Sequence, residues 1–244
     1  MRNIKLIVAY VGTAYHGFQK QPGGGTIQDV LEEFLSRVCG EPVRLAGSGR
    51  TDAGVHAKAQ VVSFRTNGSI PAENIPRAAL GLLPPDIAIL KAEEADEHFH
   101  ARFSAKSKEY SYVIANTPGP NPLLWDRRWF VGEKLDLELM GRGAEKLLGR
   151  HDFANFCSAG FEVSGTRRTV TKAEFFRQGE EITFVIAADG FLYHMVRNIV
   201  WALVQVGSGR WNLERFADCI DNPGNGIALE PAPAGGLYLE KVNY

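Results

Sequence analysis

The segment Gly49-Arg-Thr-Asp-Ala-Gly54 concentrates residues that can do chemistry. Glycine tolerates positive φ and lets the backbone approach a ligand, so a loop of this composition can present the Asp52 carboxylate at a surface. A carboxylate so placed serves as nucleophile, general base or metal ligand. An Asp that merely caps a turn leaves the same signature. The segment lacks the Gly-Lys-Ser/Thr ending of a phosphate-binding P-loop and the ligand ladder of a calcium loop.

Arg197 is the second anomaly, a lone charge in the apolar run Phe191 to Val206. It sits either on a solvated helix face or buried against a carboxylate. Paired with Asp52, it would keep that carboxylate ionised at neutral pH. Tyr110 and Tyr112 alternate around Ser111 and so share one strand face. They are either two core aromatics or a base-stacking and proton-transferring pair. His98, His100 and Arg102 also alternate, followed by Lys106 and Lys108. Two such histidines could bind a metal, but no third ligand is evident. A basic strand edge facing phosphates fits better. The dibasic pairs Arg127-Arg128 and Arg167-Arg168 can extend that surface.

Elements to position these groups can be read from periodicity and punctuation. Ile4 to Tyr10 reads as a buried strand. Thr26 is a helix N-cap with Asp29 as its capping-box partner, and Ile27 to Val38 keeps helical spacing until Gly40. Strands are expected at 43–46, 60–65 and 87–93, with a helix at 74–83 between the last two. That order resembles a ferredoxin-like half. It then partly repeats. A strand is expected at 108–116, a helix at 135–148, a hairpin of 168–177 and 181–188 around Gly179, helices at 191–206 and 212–220, and a strand at 237–242. The expected fold is α+β, two ferredoxin-like halves (1–103 and 104–244). Their antiparallel strands form a continuous sheet around a central cleft, with helices on the outer face.

The 244 residues, 45% apolar and 23% charged, suit a folded globular protein. A net charge of −1 announces no global attraction for nucleic acid, although phosphate binding depends on where cations cluster. The acids Glu93, Glu94, Asp96 and Glu97 read as a solvated connector. Cys39, Cys157 and Cys219 are odd in number and widely spaced, which argues against a disulfide framework or a cysteine zinc site. The N-terminus lacks a signal peptide's apolar core, and no apolar run reaches the roughly 20 residues of a membrane span. A cytoplasmic protein is expected.

Taken together, these segments resemble the TruA family of tRNA pseudouridine synthases. Residues 49–57, Gly-Arg-Thr-Asp-Ala-Gly-Val-His-Ala, resemble the family's catalytic motif. Further matches fall in order at residues 15–19, 26–28, 99–104, 110–112, 151–156, 194–198 and 236–239. Val11 departs from the pattern, since the family usually carries Asp before that glycine. The resemblance implies that Asp52 is the catalytic aspartate and Arg197 its ion-pair partner. It implies that Tyr110 packs on the target uracil, that Leu239 lines the pocket and that Arg50 helps draw the nucleotide from its stack. It further implies a homodimer, no cofactor and no metal, and tRNA as substrate at uridines 38, 39 and 40 of the anticodon stem-loop. Two rivals lack that support. A non-catalytic ferredoxin-like RNA-binding module does not need Asp52 in a glycine-flanked loop. A small-molecule glycosidase needs a second carboxylate in most cases, and none stands out.

Overall fold

The computed structural model describes residues 1–158, 165–227 and 229–244. In chain order its elements are β1 (Arg2–Tyr10), α1 (Ile27–Cys39), β2 (Leu45–Gly47), β3 (His56–Thr66), α2 (Ile75–Ala79), β4 (Ile87–Ala95), β5 (Ser107–Ala115), β6 (Trp129–Phe130), α3 (Leu137–Glu145), β7 (Gly149–Asp152), β8 (Arg167–Gln178), β9 (Glu181–Ala188), α4 (Met195–Gly207), α5 (Leu213–Asp221) and β10 (Leu237–Asn243). The chain divides into two compact units, Met1–Lys106 with Tyr238–Tyr244, and Ser107–Leu237. The final strand therefore groups with the first unit, although sequence order alone assigns it to the second.

In the first unit β1 lies between β4 and β3, antiparallel to both. The free edge of β3 is shared. β2 pairs antiparallel at Val62–Phe64, and β10 pairs parallel at His56–Ala57. This is the ferredoxin-like order with a late strand added, and the β10 pairing departs from the expected antiparallel arrangement. β3 begins at His56 rather than Gln60 because His56 pairs with Tyr238 of β10, and Ala57 with both Leu239 of β10 and Tyr10 of β1. Helix α1 starts where its cap dictates. The Thr26 hydroxyl accepts from the Asp29 N–H, and the Asp29 carboxylate accepts from the Thr26 N–H and hydroxyl. Its buried stripe is Ile27, Leu31, Phe34 and Leu35, and Gly40 closes it in the left-handed region at φ 71°. Helix α2 is shorter than the expected 74–83 because Leu80 turns extended. The acidic stretch is no mere connector. Glu93 and Glu94 lie within β4 near its end, and Lys5 and Arg2 of β1 pair with them at 3.0 and 2.9 Å.

In the second unit β9 lies between β5 and β8, and β7 pairs with the outer edge of β8, all antiparallel. The short β6 runs parallel to β5. Neither β6 nor β7 is legible as a strand in the sequence. Helices α3, α4 and α5 pack on one another. Helix α4 is buried along most of its length but starts at Met195, four residues later than expected. His194 takes φ 60° and ψ 3°, outside the right-handed helix, so Tyr193 and His194 are not on its turns.

Candidate active site

Asp52 is half-buried in the turn between β2 and β3, and its carbonyl accepts the Val55 N–H at 3.1 Å. The residues around it are fixed from beneath. Tyr10, the last residue of β1, shares a 2.7 Å hydrogen bond with the Thr51 hydroxyl. The Thr51 carbonyl accepts the Phe18 N–H at 3.0 Å. Gln60 is fully buried on β3. Its amide nitrogen donates to the Gly49 carbonyl at 2.9 Å, and its oxygen accepts the Ser48 hydroxyl at 2.6 Å. The Gly12 N–H donates to His56 Nδ1 at 3.0 Å, and the His56 ring lies against Tyr238 at 4.8 Å. Gly17 is required here, because its φ is +88° and a Cβ would lie 2.8 Å from the Thr51 carbonyl. Burial pushes the Tyr10 hydroxyl up to about 12, against hydrogen bonds from Thr51 and Gln60 that pull it down, so it serves this network as a neutral group.

Two other expected site residues belong to the same unit. Leu239 on β10 is fully buried, and register places it opposite Ala57, five residues beyond Asp52. Arg50 is exposed at the surface of the loop. Partial burial, then the charge of Arg102, holds its guanidinium below the usual value.

Tyr110 and Arg197 belong to the second unit. Tyr110 on β5 sits opposite Ile186, and Phe191 meets its ring edge-on at 5.0 Å. Tyr112, two residues on, is fully buried and donates to the Pro233 carbonyl at 2.7 Å. Burial raises its pKa well above the usual tyrosine value while the Arg197 charge lowers it. Arg197 is the third residue of α4. It is half-buried, and its Nε donates to the Ala232 carbonyl at 2.6 Å, while the Ala232 N–H returns a bond to the Arg197 carbonyl. The side chain is thus docked on backbone rather than spread on a solvated face. The start of α4 is tied down by its neighbours. His194 Nδ1 lies 3.0 Å from the Ser158 hydroxyl, and Asn198 donates to the Phe156 carbonyl at 2.9 Å.

The basic candidates separate into distinct environments. His98 through Ser104 form turns, not the expected strand edge. His100 Nδ1 accepts the N–H groups of Arg102 and Phe103 at 3.1 and 3.3 Å, so this imidazole nitrogen holds the turn. Arg102 and Lys106 are exposed. Arg128 pairs with Glu181 at 2.8 Å and Arg127 with Asp126 at 3.4 Å. Arg168 turns back on the carbonyls of Gly165 and Arg167, and Arg167 is exposed at the start of β8. Among the described residues, no three His, Cys, Asp or Glu side chains are grouped so as to hold a metal, and no helix is long and apolar enough to cross a membrane.

Comparison with known sequences decides what this arrangement belongs to. The family described as tRNA pseudouridine synthase matches residues 6–104 and 144–244. The chain is a member of the tRNA pseudouridine synthase family. It is 45% identical over 244 residues to tRNA pseudouridine synthase A of Acetivibrio thermocellus, covering 100% of both chains. It is 44% identical over 244 residues to tRNA pseudouridine synthase A 2 of Clostridium perfringens, again covering 100% of both. The same coverage holds at 44% identity for tRNA pseudouridine synthase A of Geobacter sulfurreducens. The family match spans Arg50, Asp52, Arg197 and Leu239. Tyr110 falls between its two segments but within the full-length alignments. The supports Tyr10, Thr51 and Gln60 were not singled out from sequence. Gln60 carries no distinct signal, since its strand also holds Ser63 and Arg65.

Proposed function

We propose that this synthase converts uridine to pseudouridine in the tRNA anticodon stem-loop, at positions 38, 39 and 40, with Asp52 as catalytic carboxylate. The observation that carries the reading is the Asp52 loop. Its neighbours are fixed by Tyr10, Gln60 and Ser48 while Asp52 itself stays half-buried rather than consumed in the core. Catalysis requires a reacting group held in place before substrate arrives.

The reaction breaks the N1–C1′ bond, turns the uracil, forms C5–C1′, passes the C5 proton to a base and leaves N1 to take up a proton in its place. Atoms and electrons balance between uridine and pseudouridine, so neither a redox cofactor nor an energy source is called for. Extruding a stacked base costs a few kcal/mol, and Arg50 assists that step. An ionised Asp52 attacks C1′ as glycosidase nucleophiles do, takes a proton from C2′, or adds to the base. All three routes require the charged carboxylate. Arg197 is its ion-pair partner in this proposal, oriented by the bond from Nε to Ala232. Tyr110 packs on the uracil and serves the C5 proton transfer, directly or through water. Leu239 lines the apolar wall that retains the detached base. The enzyme acts in the cytoplasm as a homodimer.

The test is Asp52→Asn, assayed by tritium release from C5-labelled uridine in tRNA. Turnover is expected to fall by about 10⁴-fold or more, with RNA binding kept. Tritium release at the parent rate rejects Asp52 as the catalytic group.

A further inference from the structure

One aromatic in the first unit is oriented against the usual logic of folding. Phe103 is 77% exposed, and a single exposed apolar side chain is by itself ordinary. Its mounting is not. The turn from His100 to Ser104 is closed by the Ser104 N–H on the His100 carbonyl at 2.9 Å and by the His100 N–H on the Ser104 hydroxyl at 3.0 Å. His100 Nδ1 accepts two further backbone N–H groups within the turn. Ala101, fully buried, anchors it below, its N–H on the Ser63 hydroxyl at 3.0 Å and its carbonyl receiving the Tyr244 hydroxyl at 2.8 Å. Six hydrogen bonds thus hold a five-residue turn whose two outward side chains are Arg102 and Phe103.

Those two side chains form a composite surface. The Phe103 ring is backed on one side by the His100 imidazole, 4.4 Å between centroids at 33°, and the Arg102 guanidinium lies 5.7 Å from its centroid. Among the described residues, Arg102 has no carboxylate within ion-pair distance. A nucleotide offers the ring a planar π-face and the guanidinium a phosphate. Because every base has such a face, stacking of this kind is tolerant of sequence.

We propose that the His100–Ser104 turn is a nucleotide platform, on which Phe103 stacks an unpaired base of the RNA while Arg102 holds its flanking phosphate. This rests on tRNA being the substrate and adds a contact that the chemistry at Asp52 does not require. His100 acts as the prop behind the ring rather than as a phosphate ligand.

The test measures binding alone, on a tRNA transcript in which cytidine replaces the target uridines, so that no isomerisation can occur. Phe103→Leu keeps apolar bulk but removes the π-face, and is expected to weaken binding by roughly ten- to a hundredfold. Phe103→Trp is expected to bind as the parent does, and its added fluorescence to be quenched when the RNA binds. Parent-like binding by Phe103→Leu, or an unquenched tryptophan, overturns the platform. So does a change of oligomeric state with RNA affinity unaltered, which would make the turn a protein contact. Because the RNA cannot react, an inactive parent would count against the catalytic reading while leaving this result interpretable.

Discussion

The loop that carries Asp52 is held by residues buried from solvent, Tyr10, Thr51 and Gln60. Gln60 serves both Ser48 and Gly49, so Gln60→Leu leaves a buried hydroxyl and a carbonyl without their amide partner. The expected cost is about 2–3 kcal/mol of stability, read by urea unfolding, together with a kcat lowered more than KM is raised. An equal change in both constants would make Gln60 a structural residue only. Tyr10 offers a test by pH. Its hydroxyl sits at about 12 when folded against 10.0 ordinarily, chiefly through burial. Above pH 10 the unfolded chain gives up this proton and the folded chain keeps it. Tyr10's contribution to stability is therefore complete below pH 10 and is lost as pH rises towards 12, at about 1.4 kcal/mol per pH unit. Tyr10→Phe has no such proton to lose. Its stability deficit relative to the parent is expected to narrow across that window, and a constant deficit in alkaline unfolding titrations would contradict the buried, neutral assignment.

Elements differ in how openly the sequence announces them. Helix α1 is legible because its start is a local chemical event, Thr26 and Asp29 exchanging bonds with each other's backbone. Thr26→Ala is expected to cost about 1 kcal/mol, seen as a lower thermal midpoint. The effect should fade in acid. Hydrogen bonding to Thr26 holds the Asp29 carboxylate below its usual range, so its contribution is present above the ordinary carboxylate pKa and lost as pH falls through the depressed one. What the sequence hides is decided at a distance or by a single dihedral. The start of β3 is set by β10, nearly two hundred residues away, and the start of α4 by the left-handed turn at His194, a conformation histidine adopts more readily than most residues. The candidate site divides the same way. Asp52 stood out through its flanking glycines and Arg197 through its apolar run. Tyr10 and Gln60 read as ordinary members of buried strands, because only the folded register brings them under the loop. The strand expected at His98–Arg102 failed because alternation of type is shared by strands and by turns in which side-chain acceptors bind backbone. His100 Nδ1 takes the second course.

At the scale of the molecule, the puzzle is a net charge of −1 on a protein proposed to grip a polyanion. Ion pairing within the fold resolves it by deciding which cations remain for phosphate. Arg2, Lys5, Lys20, Lys58, Lys91 and Arg128 each lie within 3.3 Å of a carboxylate. Among the described residues, Arg102 and Lys106 have no carboxylate within ion-pair distance, and both flank the start of the second unit in sequence. A cation that releases counterions on binding RNA contributes to the salt dependence of the affinity, whereas one already neutralised by a neighbouring carboxylate contributes little. Arg102→Gln is therefore expected to reduce the slope of log affinity against log salt by about 0.7 to 1. Arg128→Gln, which removes a charge that Glu181 already balances, is expected to leave that slope unchanged. Filter binding of unmodified tRNA between roughly 50 and 200 mM salt separates the two. A slope that falls equally in both variants would mean that total charge, rather than its local pairing, governs how this synthase meets RNA.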